Sequence, residues 1–406
     1  MNPEYLIEAK ESVVEIKKNR LKRFILKELH LNGSQSLADL SRLYHTSVPS
    51  MTVLISDLIR ENWVIELGVG ASKSGRKPAL YGLAPTDRYV LVWDLDKYTA
   101  RAVLFNLEHK VVSQASHGLP LANNLFYAPF LIDQTRAMLH QNGIEQSQLV
   151  GIGVSMPGLI DATTEFNYTY PTAENESLNT LIRAALDTPC FIVNDAKAAA
   201  LGEKRFGLAK EVNHVLAVNI DWGIGMGILI NGEIFQGSAG FSGELGHAKV
   251  RPDGDLCTCG KTGCLETVAS AAVLIARAKK EIEAGRATKL WHFCNGDANA
   301  IDGDMVIQAA HSGDELCIDL LCEVGLELGK ALSTAVHLFN PQMIIINGLL
   351  AKAERYITIP IEQAIQKYCL VELRNKLTVQ TSQLGNAARQ YGTYSYLLER
   401  VIDSVG

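Results

Sequence analysis

The chain opens on apolar positions at helical spacing. In residues 19–31, NRLKRFILKELHL, Leu21, Phe24, Ile25 and Leu29 fall on one side with the basic residues mostly opposite, which predicts an amphipathic helix. SLADLSRLYH (36–45) repeats the pattern behind a serine that can cap it. After a break at His45 and Thr46, SVPSMTVLISDLIRENW starts with a second capping serine, Ser47, and places Pro49 in its first turn. There Met51, Leu54, Ile55 and Leu58 make an apolar face, which leaves Ser50, Thr52, Val53 and Ser56 turned outward. This order predicts a helix-turn-helix whose last helix offers a reading face of small residues. VIELGVGASKSGRKPALYGL then gives two β-rich runs around a loop, the outline of a winged helix with Lys73, Arg76 and Lys77 at the wing. A helical packing or dimerisation domain is the competing reading. The basic wing tip weighs against it, because phosphate contacts need Lys or Arg.

From Asp87 the pattern changes to short β-rich runs alternating with helical segments. RYVLVWDLD, ARAVLFNLE and HKVVSQAS read as successive strands, followed by an amphipathic helix near 127–141 and a strand at LVGIGVSM. HVLAVNIDW, GIGMGILIN and GEIFQGS begin a second set of the same kind. The repetition predicts two similar α/β subdomains with a ligand cleft between them. The expected boundaries are 1–85 for the winged helix-turn-helix, 86–195 for the first α/β subdomain and 196–406 for the second. A chain of 406 residues accommodates this division, since domains run to about 100–200 residues each.

Composition adds little beyond a soluble class: 47% hydrophobic, 20% charged, with no run of about 18 apolar residues and no signal-peptide core at the N-terminus. The expectation is a cytoplasmic protein without membrane insertion. Charge is more telling. Residues 1–85 carry 12 Lys/Arg against 9 Asp/Glu, whereas residues 86–406 carry 26 against 35, so only the front favours a polyanion. Five of the eight cysteines are scattered without paired spacing. The other three crowd into HAKVRPDGDLCTCGKTGCLE (247–266).

Five segments, in this order, carry a resemblance: GRKP (75–78), GVSMPGLID (153–161), NDAKAAALGE (194–203), GELGH (243–247) and CTCGKTGCLE (257–266). The chain resembles the ROK family (repressors, open reading frames and sugar kinases), in the branch that carries an N-terminal winged helix. That resemblance implies an actin-like, ribonuclease H-like sugar-kinase fold with an interdomain cleft, and a C-terminal helix that returns to the first subdomain.

Cys-x-Cys-x4-Cys with one histidine is a closed Cys3His set suited to tetrahedral zinc, with no position left for an activated water. A redox thiol pair is the alternative, but it would more naturally be Cys-x-x-Cys beside a helix start. The resemblance assigns His247, Cys257, Cys259 and Cys264 to a structural Zn2+. It assigns sugar contacts to Asn194, Asp195, Glu244, His247 and Glu266, and carboxylates with an amide are well suited to hydroxyls. One ring nitrogen of His247 can hold metal while the other faces the ligand.

The nucleotide elements depart from the kinase pattern. Asp-x-Gly-Gly-Thr reads Asp94-Leu95-Asp96-Lys97-Tyr98, the second phosphate loop reads Asp221-Trp222-Gly223-Ile224-Gly225-Met226-Gly227, and the Gly-Gly pair near the adenosine reads Asn347-Gly348. Phosphate loops need small residues and no nearby negative charge. Asp195 matches the family's catalytic base, yet with these loops it is expected to bind ligand, with no kinase activity. The expectation is therefore a repressor of carbohydrate genes that binds operator DNA through its winged helix. A sugar or sugar phosphate would set DNA affinity, the zinc loop would couple the two sites, and paired reading heads imply a homodimer or homotetramer. The rivals are a DNA-binding kinase with divergent loops and a regulator controlled by a protein partner.

Overall fold

The computed structural model describes residues 13–69, 78–122, 124–173 and 175–405. The front folds as three helices, α1 (Val13–Asn32), α2 (Leu37–Leu43) and α3 (Val48–Arg60), with a small antiparallel sheet of β1 (Gln35–Ser36), β2 (Val64–Val69) and β3 (Ala79–Leu83) in the order β1-β3-β2. Ser36 and Ser47 cap α2 and α3 through Asp39 N and Ser50 N. Ile25, Leu26, Leu29, Leu40, Met51, Leu54, Ile55 and Leu58 share one core. Phe24 departs from the expected face: it is exposed and stacks on Tyr44 at 5.8 Å, while Leu26 takes the interior place. Lys22, expected on the polar side, is buried and ion-paired to Glu61.

Two five-stranded sheets follow, and they are built alike. The first runs β6-β5-β4-β7-β8, from β4 (Tyr89–Leu95), β5 (Thr99–Asn106), β6 (Val111–Gly118), β7 (Leu149–Met156) and β8 (Cys190–Asn194). The second runs β11-β10-β9-β12-β13, from β9 (Val215–Ile220), β10 (Ile224–Ile230), β11 (Glu233–Ile234), β12 (Met343–Asn347) and β13 (Thr378–Thr381). In each, the first three strands form an antiparallel meander and the last two join the first strand in parallel. The duplication read from the sequence is thus a duplication of topology. The expected strand GEIFQGS is only two residues long.

A strand covered on both faces reads as a continuous apolar run. Leu91, Trp93 and Leu95 of β4 face α4 (Tyr127–Gln141) and α5 (Leu178–Leu186), whereas Val90 and Val92 face the C-terminal α14 (Ala387–Asp403). In the second half Leu216, Val218 and Ile220 of β9 enter a large core with α8 (Ala271–Glu283), α10 (Gly303–His311), α11 (Glu315–Phe339) and α12 (Arg355–Tyr368). Val215 and Ala217 point the other way, towards Ala200 of α6 (Asp195–Phe206). Short helices α7 (Glu266–Ala269), α9 (Leu290–Phe293) and α13 (Val371–Arg374) complete the set used below.

Helices α6 and α14 lie between the sheets and cross in backbone contact. A Cβ on Gly392 would lie 1.7 Å from the Ala198 carbonyl oxygen, and one on Gly202 would lie 1.9 Å from that of Ala388. The far half of α14 meets α1: Ser395 Oγ lies 3.2 Å from His30 Nε2, Asp403 pairs with Lys27 at 2.6 Å, and Arg23 donates to the Val405 carbonyl just beyond α14 at 2.8 Å. Among the described residues no helix is long and apolar enough to cross a membrane.

Candidate functional site

The cysteine loop is a tight hairpin that ends where α7 begins. Its two flanks are joined by isolated bridges, Lys249 with Cys264 and Leu256 with Thr262, and Cys257 N donates to Lys261 O at 2.7 Å. Gly263 has φ +75°, and a Cβ there would sit 1.9 Å from Arg251 O, so only glycine closes the turn. His247, Cys257, Cys259 and Cys264 converge, their ligand atoms all within 4.8 Å of one another. Cys259 and Cys264 Sγ are 3.7 Å apart, and Cys257 Sγ lies 3.5 Å from His247 Nδ1. Four ligands at zinc bond lengths of about 2.0–2.3 Å in tetrahedral geometry have edges of about 3.3–3.8 Å. The Cys259–Cys264 and Cys257–His247 Nδ1 edges fall in this range, and the cluster is compatible with a Cys3His metal centre.

Glu266 links this cluster to the cleft. Its Oε1 lies 3.5 Å from Thr258 Oγ1 and 3.9 Å from Cys257 Sγ, while Oε2 accepts from Ile224 N at 3.3 Å. Asn194 ends β8 and caps α6, its side chain accepting from Ala196 and Lys197 N and donating to Gly158 O at 3.2 Å. Asp195, on the first turn of α6, accepts from Ala196 N at 2.9 Å and from Asn219 Nδ2 at 3.3 Å. Burial pushes its carboxyl up to about 6; Arg389 opposes this, and Asp221 and Asp94 add to it. Burial likewise raises Glu244 to about 7, with Asp195 and Glu266 reinforcing the shift and Lys197 resisting it. The sequence-derived acids are thus close enough to act on one another's charge. Tyr170 joins them: burial raises its phenol, as do Asp195, Glu266 and Tyr98.

Strands β4 and β9 occupy equivalent places in the two sheets, and each has an aspartate near its C-terminal end, Asp94 one residue inside β4 and Asp221 just beyond β9. Arg389, on the first turn of α14, bonds both. Its Nε and Nη2 donate to the two Asp94 oxygens at 2.8 and 3.2 Å, and Nη1 donates to Asp221 Oδ2 at 2.9 Å. Asp94 is fully buried and also accepts from Ser155 Oγ at 3.0 Å. Arg101 reaches Asp96 at 2.9 Å and Asp94 at 3.6 Å. Just outside, Tyr98 from one loop and Trp222 from the other meet edge to face at 5.0 Å, with Lys97 Nζ over both rings.

On α3, Ser47, Ser50, Thr52 and Val53 are all exposed on one stretch of surface. Ser47 and Ser50 hydroxyls bond each other at 2.9 Å, and Thr52 bonds back to Val48 O at 2.9 Å. Lys73, Arg76 and Lys77 lie outside the described residues.

The ROK family model matches residues 97–400. The chain belongs to the ROK family. A xylose repressor from Bacillus spizizenii is 29% identical over 384 residues, covering 94% of this chain and 96% of its own. A solved ROK family transcriptional regulator, a homologue of the E. coli MLC protein, superposes with a TM-score of 0.81 at 26% identity over 95% of this chain and 96% of its own. A ROK family glucokinase from Streptomyces griseus, solved with glucose and AMPPNP, covers 76% of this chain and 99% of its own, with a TM-score of 0.68 and 26% identity. A repressor and a ROK regulator therefore match the chain nearly end to end, and the ROK kinase matches about three quarters of it.

Sequence reasoning about this ROK chain missed Arg389, Arg101, Asn219 and Tyr170. Arg389 is 168 and 295 residues from its two partners. One signal was available: an arginine amid the apolar and small residues of α14 is an expensive burial without carboxylates to meet it.

Proposed function

We propose that this protein is a sugar-responsive transcriptional repressor. The observation that carries the reading is the end-to-end match to a repressor and a ROK regulator, with the hydroxyl-binding set kept in the cleft and carboxylates standing in the loops that a kinase uses for phosphate. In this reading residues 1–85 are a winged helix-turn-helix, with Ser47, Ser50, Thr52 and Val53 facing operator DNA and Lys73, Arg76 and Lys77 on its backbone. Asn194, Asp195, Glu244, His247 and Glu266 hold the effector between subdomains 86–195 and 196–406. Zn2+ held by His247, Cys257, Cys259 and Cys264 is structural: it holds the hairpin that brings the Thr258 hydroxyl to Glu266. Asp195 binds a hydroxyl rather than activating it, and the protein transfers no phosphoryl group.

Coupling needs an element that both sites bias. Helix α14 meets this condition: it begins at Arg389 in the cleft and ends against α1 of the reading head. Twofold operators take paired heads, so the acting species is a homodimer or homotetramer. Release of bound operator DNA across a panel of sugars and their phosphates tests the reading. At least one sugar should weaken DNA binding about tenfold or more. ATP-dependent phosphorylation of that sugar at a useful rate would show an enzyme instead.

A further inference from the structure

At three places around the two loops, the protein's own carboxylates hold backbone N–H groups. Asp96 Oδ1 accepts from Tyr98 N and Thr99 N, both at 2.8 Å, in the first loop. Glu266 Oε2 accepts from Ile224 N at 3.3 Å in the second. Asp221 Oδ1 accepts from Leu349 N at 2.7 Å beyond β12. Amides presented this way are the donors that bind phosphate oxygens. Here they are satisfied before any ligand arrives.

The cations are committed too. Arg389 is matched by Asp94 and Asp221, and Arg101 by Asp94 and Asp96. Lys197 is buried with its Nζ donating to Gly240 O. What the proposed effector site offers a ligand is a set of acids, Asp195, Glu244 and Glu266, which bond hydroxyls and supply no positive charge for a phosphate. We infer that the cleft, taken as the effector site proposed above, accepts an uncharged sugar and discriminates against its phosphate ester, and that the Arg389–Asp94–Asp221 ion triad sets this preference. The triad matters because it consumes the one guanidinium that bridges the two sheets. Lys97, lying 5.5 and 5.7 Å from the Tyr98 and Trp222 ring centroids, is a cation beside both loops and the natural anchor for a phosphate if the inference is wrong.

Arg389→Met would leave Asp94 buried without its partner, so the test uses Asp221→Asn, which keeps an oxygen for Leu349 N, turns an amide NH2 towards Arg389 Nη1 and so removes one charge and one bond from the triad. The full-length protein is titrated calorimetrically with D-xylose, D-glucose and N-acetyl-D-glucosamine and with their terminal phosphate esters. An uncharged sugar is expected to bind, with its ester at least about tenfold weaker. Asp221→Asn is expected to narrow that ratio about fivefold by tightening the ester, whereas a purely structural role would weaken both ligands together. A wild-type preference for the ester overturns the inference while leaving a sugar-responsive regulator standing, and its loss in Lys97→Ala would then place the anion at the mouth. An unchanged ratio in Asp221→Asn overturns the role of the triad. If no sugar or ester binds or releases operator DNA, the sugar-responsive reading fails and the inference falls with it.

Discussion

Asp195 shows how one carboxyl reports on its surroundings. Its pKa stands at about 6 in the fold against an ordinary 3.8, so the folded chain holds this proton more tightly than the unfolded chain. The stabilising contribution is full below about pH 4 and is lost as pH rises through 6. Glu244, at about 7, acts in the same direction. Asp195→Asn should therefore gain about 1–2 kcal/mol over wild type between pH 4 and 8 in denaturant unfolding, with most of the sugar response lost. At the metal loop, Gly263→Ala forces a Cβ into Arg251 O, and the expected result is loss of bound zinc on metal analysis together with a weakened sugar response. Cys264→Ser should do the same. The Cys/His cluster was legible because a short hairpin brings its members together and their spacing is local. Arg389 was not, because its partners come from strands brought near only by the closed fold.

At the scale of elements, the strands could be read because β4, β7 and β9 are covered on both faces and keep apolar, β-rich runs up to a single polar residue near the C-terminal end, Asp94, Ser155 and Asn219. Their order could not. Nothing local in β12 says that it lies beside β9, since a parallel neighbour is chosen by the crossover and not by the strand. The α6–α14 crossing was also hidden, although Gly202 and Gly392 stand in helices where glycine is otherwise unfavourable. Their reason is now visible. Gly392→Ala places a methyl 1.7 Å from a carbonyl oxygen and should cost about 3 kcal/mol or more, because neither backbone can retreat; thermal unfolding would measure it. An alanine at Gly285, where no atom lies within 4 Å, is the control for φ strain alone.

For the molecule as a whole, the joint between the N-terminal helices and the first sheet is sensitive to acid. His30 is buried beside His109, Tyr394 and Ser395; burial drives its pKa down to about 3, with His109 and Arg205 adding to the shift, and burial also lowers His109. Both are held neutral, so their contribution is complete above about pH 6.5 and drains away as pH falls towards 3. His30→Gln should flatten this acid limb by a few kcal/mol. Lys27→Ala with Ser395→Ala, which loosens α1 from α14, should leave sugar affinity within about twofold while blunting operator release, if α14 carries the signal. The crossing of α6 and α14 has a mechanical consequence. Two helices touching backbone to backbone can turn about their point of contact but cannot slide, so the two sheets share a pivot and not a shear plane. Any rocking about that pivot would part the edge-to-face rings of Tyr98 and Trp222, which come from the loops of opposite sheets.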